Sequence, residues 1–124
     1  MSKPSEPLID GAPVRRFKNP NYKNVGSNLA ELRQKIDLID SQIIELLAER
    51  ALCVQDATRF KKDAFQVAAP ARQAQVFERV KSQAEAHLEN FPNFPEIVET
   101  TYRTLVAGFI ASEQLLFQKT EIIK

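Results

Sequence analysis

The sequence predicts an all-α fold: a three-helix chain with one long N-terminal helix, paired with a second copy in an intertwined helical homodimer. Three observations lead there. From Leu32 onward, apolar residues recur at alternating steps of three and four through Ile36, Ile39, Ile43 and Leu46, the period of one helix face. No proline or glycine stands between Gly26 and Pro70, so nothing in that stretch breaks a helix. No segment alternates apolar and polar residues in the way a half-buried strand requires. The dimer follows from length. A helix of about 35 residues is a rod of about 50 Å, whereas a compact chain of 124 residues has a radius of gyration of about 14 Å. The projecting apolar stripe needs a cover, and a twofold copy of the same chain is the commonest one.

Each element has its own signal. Residues 1–27 carry Pro4, Pro7, Pro13, Pro20, Gly11 and Gly26 among scattered charges, the composition of an extended N-terminal arm without its own core. Its basic residues, Arg15, Arg16, Lys18 and Lys23, suit a solvated or subunit-wrapping tail. The helical domain spans residues 28–124. Asn28 and Glu31 stand in the relation of an N-cap and its N3 partner, which starts the first helix. Its stripe continues through Cys53, Val54, Ala57 and Phe60 and predicts an end near Lys62. The segment DAFQVAA reads as a polar and small-residue connection. Pro70 then opens a second helix with Arg72, Val76, Val80 and Ala84 at four-residue steps, ending near Asn90. The FPNFP segment breaks the chain, and Pro95 opens a third helix carrying Val98, Tyr102, Leu105, Val106, Phe109, Ile110 and Phe117.

Composition removes several function classes. Seventeen basic and sixteen acidic residues leave a formal charge of +1, so no nucleic-acid or anionic membrane partner is expected. One cysteine, Cys53, and one histidine, His87, provide neither a disulfide nor a transition-metal ligand set. No metal and no cofactor are expected. The first residues lack the apolar core of a secretory leader and no later stretch is apolar enough to span a bilayer, so the expected location is the reducing cytoplasm.

The candidate site begins with an interruption of the seam. With Ile36 and Ile43 at heptad a positions, the next a position is Arg50, a permanent charge that needs a carboxylate or an anionic ligand. Lys61, 11 residues on, projects to nearly the same side. Taken alone, the pair fits an ordinary ion pair and a lysine snorkelling at a helix end. Arg72, however, begins the inward stripe of the second helix, and three inward cations point to a small anion. Cys53, at a d position, reads as a packed thiol; His87 as a rim residue; Phe91 and Phe94 as loop anchors; Glu113 as a neutraliser of a nearby cation.

With these residues in view, the chain resembles the all-helical type II chorismate mutase family, which includes the related isochorismate pyruvate lyases. The resemblance covers about residues 29–119. It rests on LAELRQKIDLIDSQIIELLAER, ATRFKK, APARQ and FIASEQ, which keep the family's order of Arg, Arg, Lys, Arg and Gln. It implies that Arg50 and Arg72 hold substrate carboxylates, that Lys61 and Gln114 contact the ether oxygen, and that Arg33 enters from the other subunit. Gln73 stands where mutases usually carry the glutamate that binds the ring hydroxyl, and Ile110 where many bacterial members have serine. Both departures lean toward the lyase branch. The implied activity is the rearrangement of chorismate to prephenate, with lyase activity giving salicylate and pyruvate, or a non-catalytic helical dimer, as the alternatives. The chemistry suits the residues. Guanidinium forks match a dicarboxylate, and a pericyclic reaction needs a held conformer and stabilised oxygen charge rather than a nucleophile. Because Gln114 does not titrate, the rate is expected to be nearly flat from about pH 5 to 8.

Overall fold

The computed structural model describes residues 4–124, and among them every regular element is helical. Helix α1 spans Leu29–Ala57, a 3₁₀ turn spans Thr58–Phe60, and α2, α3 and α4 span Ala64–Ala68, Pro70–Glu85 and Phe94–Phe117. The chain forms two compact units that divide within α1, after Ala48.

In the N-terminal unit the start of α1 is firmly capped. The Asn28 side-chain oxygen accepts from the Glu31 N–H at 2.9 Å, and the Glu31 carboxylate accepts from the Ser27 N–H at 3.2 Å. Both are free donors at a helix start that the cap satisfies. The arm is tied to this first turn: the Ala30 N–H donates to the Ile9 carbonyl at 2.8 Å, and Lys35 donates to the Val25 carbonyl. A Cβ on Gly26 would come within 2.7 Å of the Leu32 side chain, so glycine allows this close approach. Phe17 and Tyr22 stack at 4.6 Å between ring centroids. Farther along, α1 presents its apolar stripe outward. No residue of this helix is buried, with Ile36 at 55% and Leu46 at 62% exposure.

The C-terminal unit builds its own core. Val76 and Val80 of α3 meet Val106 of α4, with Phe77, Val98, Tyr102 and Ile110 packed around them. Each buried valine contributes about 1.5 to 2 kcal/mol through the water it leaves. The stripes predicted for the second and third helices therefore face one another.

Three boundaries differ from the sequence expectation. The first helix ends at Ala57 instead of near Lys62. The Thr58 hydroxyl lies 3.0 Å from the Val54 carbonyl, and the backbone tightens into the 3₁₀ turn before Lys61 takes an extended conformation. The supposed connection DAFQVAA contains a helix, α2. Its N-cap Asp63 accepts from the Gln66 N–H at 2.9 Å, while Gln66 accepts in return from the Lys62 N–H at 2.6 Å. Ala69, left-handed at φ 46°, turns the chain directly into α3, where Pro70 occupies the first turn. Helix α3 stops at Glu85 rather than near Asn90, and left-handed residues at Leu88 and Asn93 lead into α4. Phe91 and Phe94 anchor this corner edge to face, 6.4 Å between centroids.

Candidate active site

The C-terminal unit holds a cleft of about 360 Å³ among the end of α1, α2, α3 and α4. This is the lower range of small-molecule pockets and suits a ligand with one ring and two carboxylates. Arg50, Lys61, Arg72 and Gln73 all line it, so four of the six expected site residues come together. The floor is apolar, formed by Val67, Val76, Val106 and Ile110. Val67, 1% exposed, is the most deeply buried large side chain and comes from α2, the helix missing from the sequence reading.

Arg50 is fixed from one side. Its guanidinium carbon lies 4.8 Å over the centre of the Phe109 ring, an attraction of cation to ring face that holds the plane of the fork. Its Nη1 is buried and has no hydrogen-bond partner. A buried donor without an acceptor costs about 1–3 kcal/mol.

Lys61 is held by Glu113. Its Nζ lies 3.2 Å from Glu113 Oε2, and Glu113 is only 4% exposed. The Thr58 hydroxyl also lies 3.2 Å from that oxygen and, with one hydrogen to give, serves either Glu113 or the Val54 carbonyl at a time. The neutralising role read for Glu113 thus has a named partner. Gln73 donates its amide to the Ala68 carbonyl at 2.7 Å, which leaves its own carbonyl oxygen as an acceptor.

Two expected site residues lie elsewhere. Arg33 belongs to the N-terminal unit, exposed on α1. Gln114 is not among the cleft residues; its amide donates to the Ala64 carbonyl at 2.9 Å, tying α4 to the first turn of α2. Glu113 faces the cleft instead. One residue on a helix is a rotation of about 100°, enough to exchange one side for another. Val106, Ile110 and Glu113 on α4 follow at steps of four and three and share the cleft face. Cys53, expected as a packed thiol, is exposed and lines the cleft one turn after Arg50.

Four cations and a single carboxylate therefore line one small cleft in a chain whose net charge is only +1. Over residues 32–114 the chain matches the family model of chorismate mutase type II. The chain belongs to that family. A relative within it is the bifunctional chorismate mutase/prephenate dehydratase of Pseudomonas aeruginosa, 32% identical over 94 residues, which cover 71% of this chain and 24% of that protein. Another is the chorismate mutase of Methanocaldococcus jannaschii, 33% identical over 60 residues, 48% of this chain and 61% of that one. The chain thus spans less than two thirds of either curated relative. Among the described residues of this family member, no group of histidine, cysteine and carboxylate side chains is placed to hold a metal ion, and no helix is long and apolar enough to cross a membrane.

Proposed function

We propose that this chain rearranges chorismate to prephenate, a step of aromatic amino acid biosynthesis, in a cytoplasmic homodimer. The observation that carries the reading is the convergence of Arg50, Arg72 and the Lys61–Glu113 pair on one small cleft. Arg50 and Arg72 clamp the two carboxylates, which folds the flexible side chain of the substrate over its ring. The carbon–oxygen ether bond breaks as the new carbon–carbon bond forms, and no proton or covalent intermediate is required. Charge grows on the ether oxygen, where Lys61 donates. Glu113 accepts from Lys61 and holds that donor in place. Gln114, whose amide has a second N–H beyond the one given to Ala64, is the second donor beside that oxygen, and Gln73 offers its carbonyl to the ring hydroxyl.

The dimer reading rests on α1. Apolar residues at helical spacing with no buried member call for a partner surface, and a second copy presents the same stripe. Arg33 then reaches the site of the opposite subunit.

The deciding assay offers chorismate and isochorismate separately and quantifies prephenate and salicylate. Prephenate from chorismate is expected. Salicylate from isochorismate without prephenate would assign the chain to the lyase branch, and neither product, together with no calorimetric binding of a bicyclic transition-state mimic, would refute the catalytic reading.

A further inference from the structure

One cation of the cleft has no role in the reaction just described. Arg79 lies seven residues after Arg72 on α3, nearly two whole turns, so the two share a face at a separation of about 10 Å along the axis. Val76, buried between them, places that face against the cleft floor. Arg72 and Arg79 are both exposed on the cleft lining.

Glu78, the sequence neighbour of Arg79, lines a neighbouring cleft with Phe77, Glu99 and Arg103. There the cations are matched: Glu99 meets Arg103 at 2.9 Å and Lys81 at 3.5 Å, and Arg103 also lies over the Phe77 ring at 4.5 Å. Among the described residues, Arg50, Arg72 and Arg79 make no ion pair, whereas Lys61, Lys81 and Arg103 do. Helix α3 thus brings two guanidinium groups without an ion-pair partner, Arg72 and Arg79, to the cleft, while its Lys81 is paired with Glu99.

We infer that Arg79 is a capture residue, which draws a doubly charged substrate from solution into the cleft and gives it up to Arg50 and Arg72. This rests on the mutase reading for the identity of the substrate, but not for the charge it recognises. An exposed cation about 10 Å from the clamp acts through its field, which is felt twice as strongly by a dianion as by a monoanion and is screened within a Debye length of about 8–10 Å at ordinary salt. The field does not change between ground and transition states, so it acts on binding rather than on the chemical step.

The experiment compares wild type with Arg79→Gln, which keeps most of the side-chain stem, and with Arg79→Lys, which keeps the charge. For chorismate turnover, Arg79→Gln is expected to raise KM about three- to tenfold with kcat within twofold, and to flatten the dependence of kcat/KM on salt. Arg79→Lys is expected to restore most of both. In parallel, calorimetry measures a bicyclic dicarboxylate mimic and its monoamide: Arg79→Gln should weaken the dicarboxylate more than the monoamide, and high salt should erase the difference. Equal salt slopes and equal affinities in Arg79→Gln and wild type would overturn the inference, as would a loss confined to kcat. The failure of the mutase reading shows itself separately, as wild-type protein without turnover, and the calorimetric comparison still decides the role of Arg79.

Discussion

The two units of this chain handle apolar surface in opposite ways. In the C-terminal unit the stripes of α3 and α4 face each other, and Val76, Val80 and Val106 leave water together. In the N-terminal unit the stripe of α1 begins at a well-made cap and then runs outward, with Ile36, Ile39, Ile43 and Leu46 all exposed. One region is finished by its own residues and holds the cleft. The other has a regular helix whose hydrophobic side is in solvent. The contrast separates what one chain brings together, namely Arg50, Lys61, Arg72 and Glu113, from what the proposed second copy would add.

The largest expected effect tests the finished region. On the proposed mechanism Lys61→Ala removes the donor at the ether oxygen and should lower kcat on the order of a hundredfold or more, while Lys61→Met controls for packing. A variant that keeps more than half of wild-type turnover would sink the assignment. Removal of Lys61 also leaves Glu113 buried without its ion-pair partner, a cost of several kcal/mol in other proteins, so a melting curve must accompany the rate.

The next test sharpens the contrast itself. Arg33 and Arg50 stand 17 residues apart, about 25 Å along a helical axis and about 100° in rotation, too far for both to hold one ligand from a single helix. Inactive Arg33→Ala and Arg50→Ala chains are unfolded together and refolded as a mixture. About half of the dimers are then mixed, and each mixed dimer has one intact site, so activity should return to about a quarter of wild type. Activity that stays at the level of the single variants, with chain exchange verified by mass spectrometry, would remove Arg33 from the site.

A third test distinguishes neighbours on α4. Glu113→Gln keeps the shape of the side chain but removes the charge that holds Lys61, so kcat should fall with little change in KM. The groups around Glu113 are Lys61 and Thr58, with Arg50 and Arg72 on the same cleft. Gln114→Ala should lower kcat by more than about tenfold if its amide serves the ether oxygen, and cost about 1 kcal/mol of stability through the lost bond to Ala64. A Gln114→Ala variant that keeps wild-type turnover would remove Gln114 from the site.

How much of this was readable beforehand depends on the kind of signal. The start of α1, the stripes of α3 and α4, and the convergence of Arg50, Lys61 and Arg72 were legible because capping pairs and helical periods are local and repeat, whereas Gln73 came from the family resemblance alone. Helix α2 escaped because its five residues are too few to show a period, although Asp63 and Gln66 form the D-x-x-Q pattern of a cap. The early end of α1 was hidden in Thr58, whose hydroxyl competes with the backbone for the Val54 carbonyl. Glu113 was legible as a neutraliser of a nearby cation, but its partner was not, because the 3.2 Å approach of Lys61 joins residues 52 apart in sequence.

The smallest effect concerns half-buried carboxylates, one in each region. The Ser27 backbone N–H, helped by Lys35, holds the Glu31 carboxyl below its usual range, and the Arg103 hydrogen bond, helped by Lys81, does the same for Glu99. A lowered folded-state pKa contributes stability above the pKa of the unfolded chain, which is lost as pH falls through the lower, folded value. Melting temperature should therefore begin to fall below about pH 4.5, and Glu99→Gln should remove no more than about two degrees of that fall. A fall that starts near pH 6 would point to a different group.

The unburied stripe of α1 has a thermodynamic consequence as well. When a second copy covers it, part of the free energy of folding belongs to a bimolecular step and varies with the logarithm of protein concentration. Dilution then acts on this chain as a mild denaturant does, and each tenfold dilution withdraws about 1.4 kcal/mol from the folded dimer. The amount of enzyme present, and not only its sequence, then sets how much of it keeps a complete site.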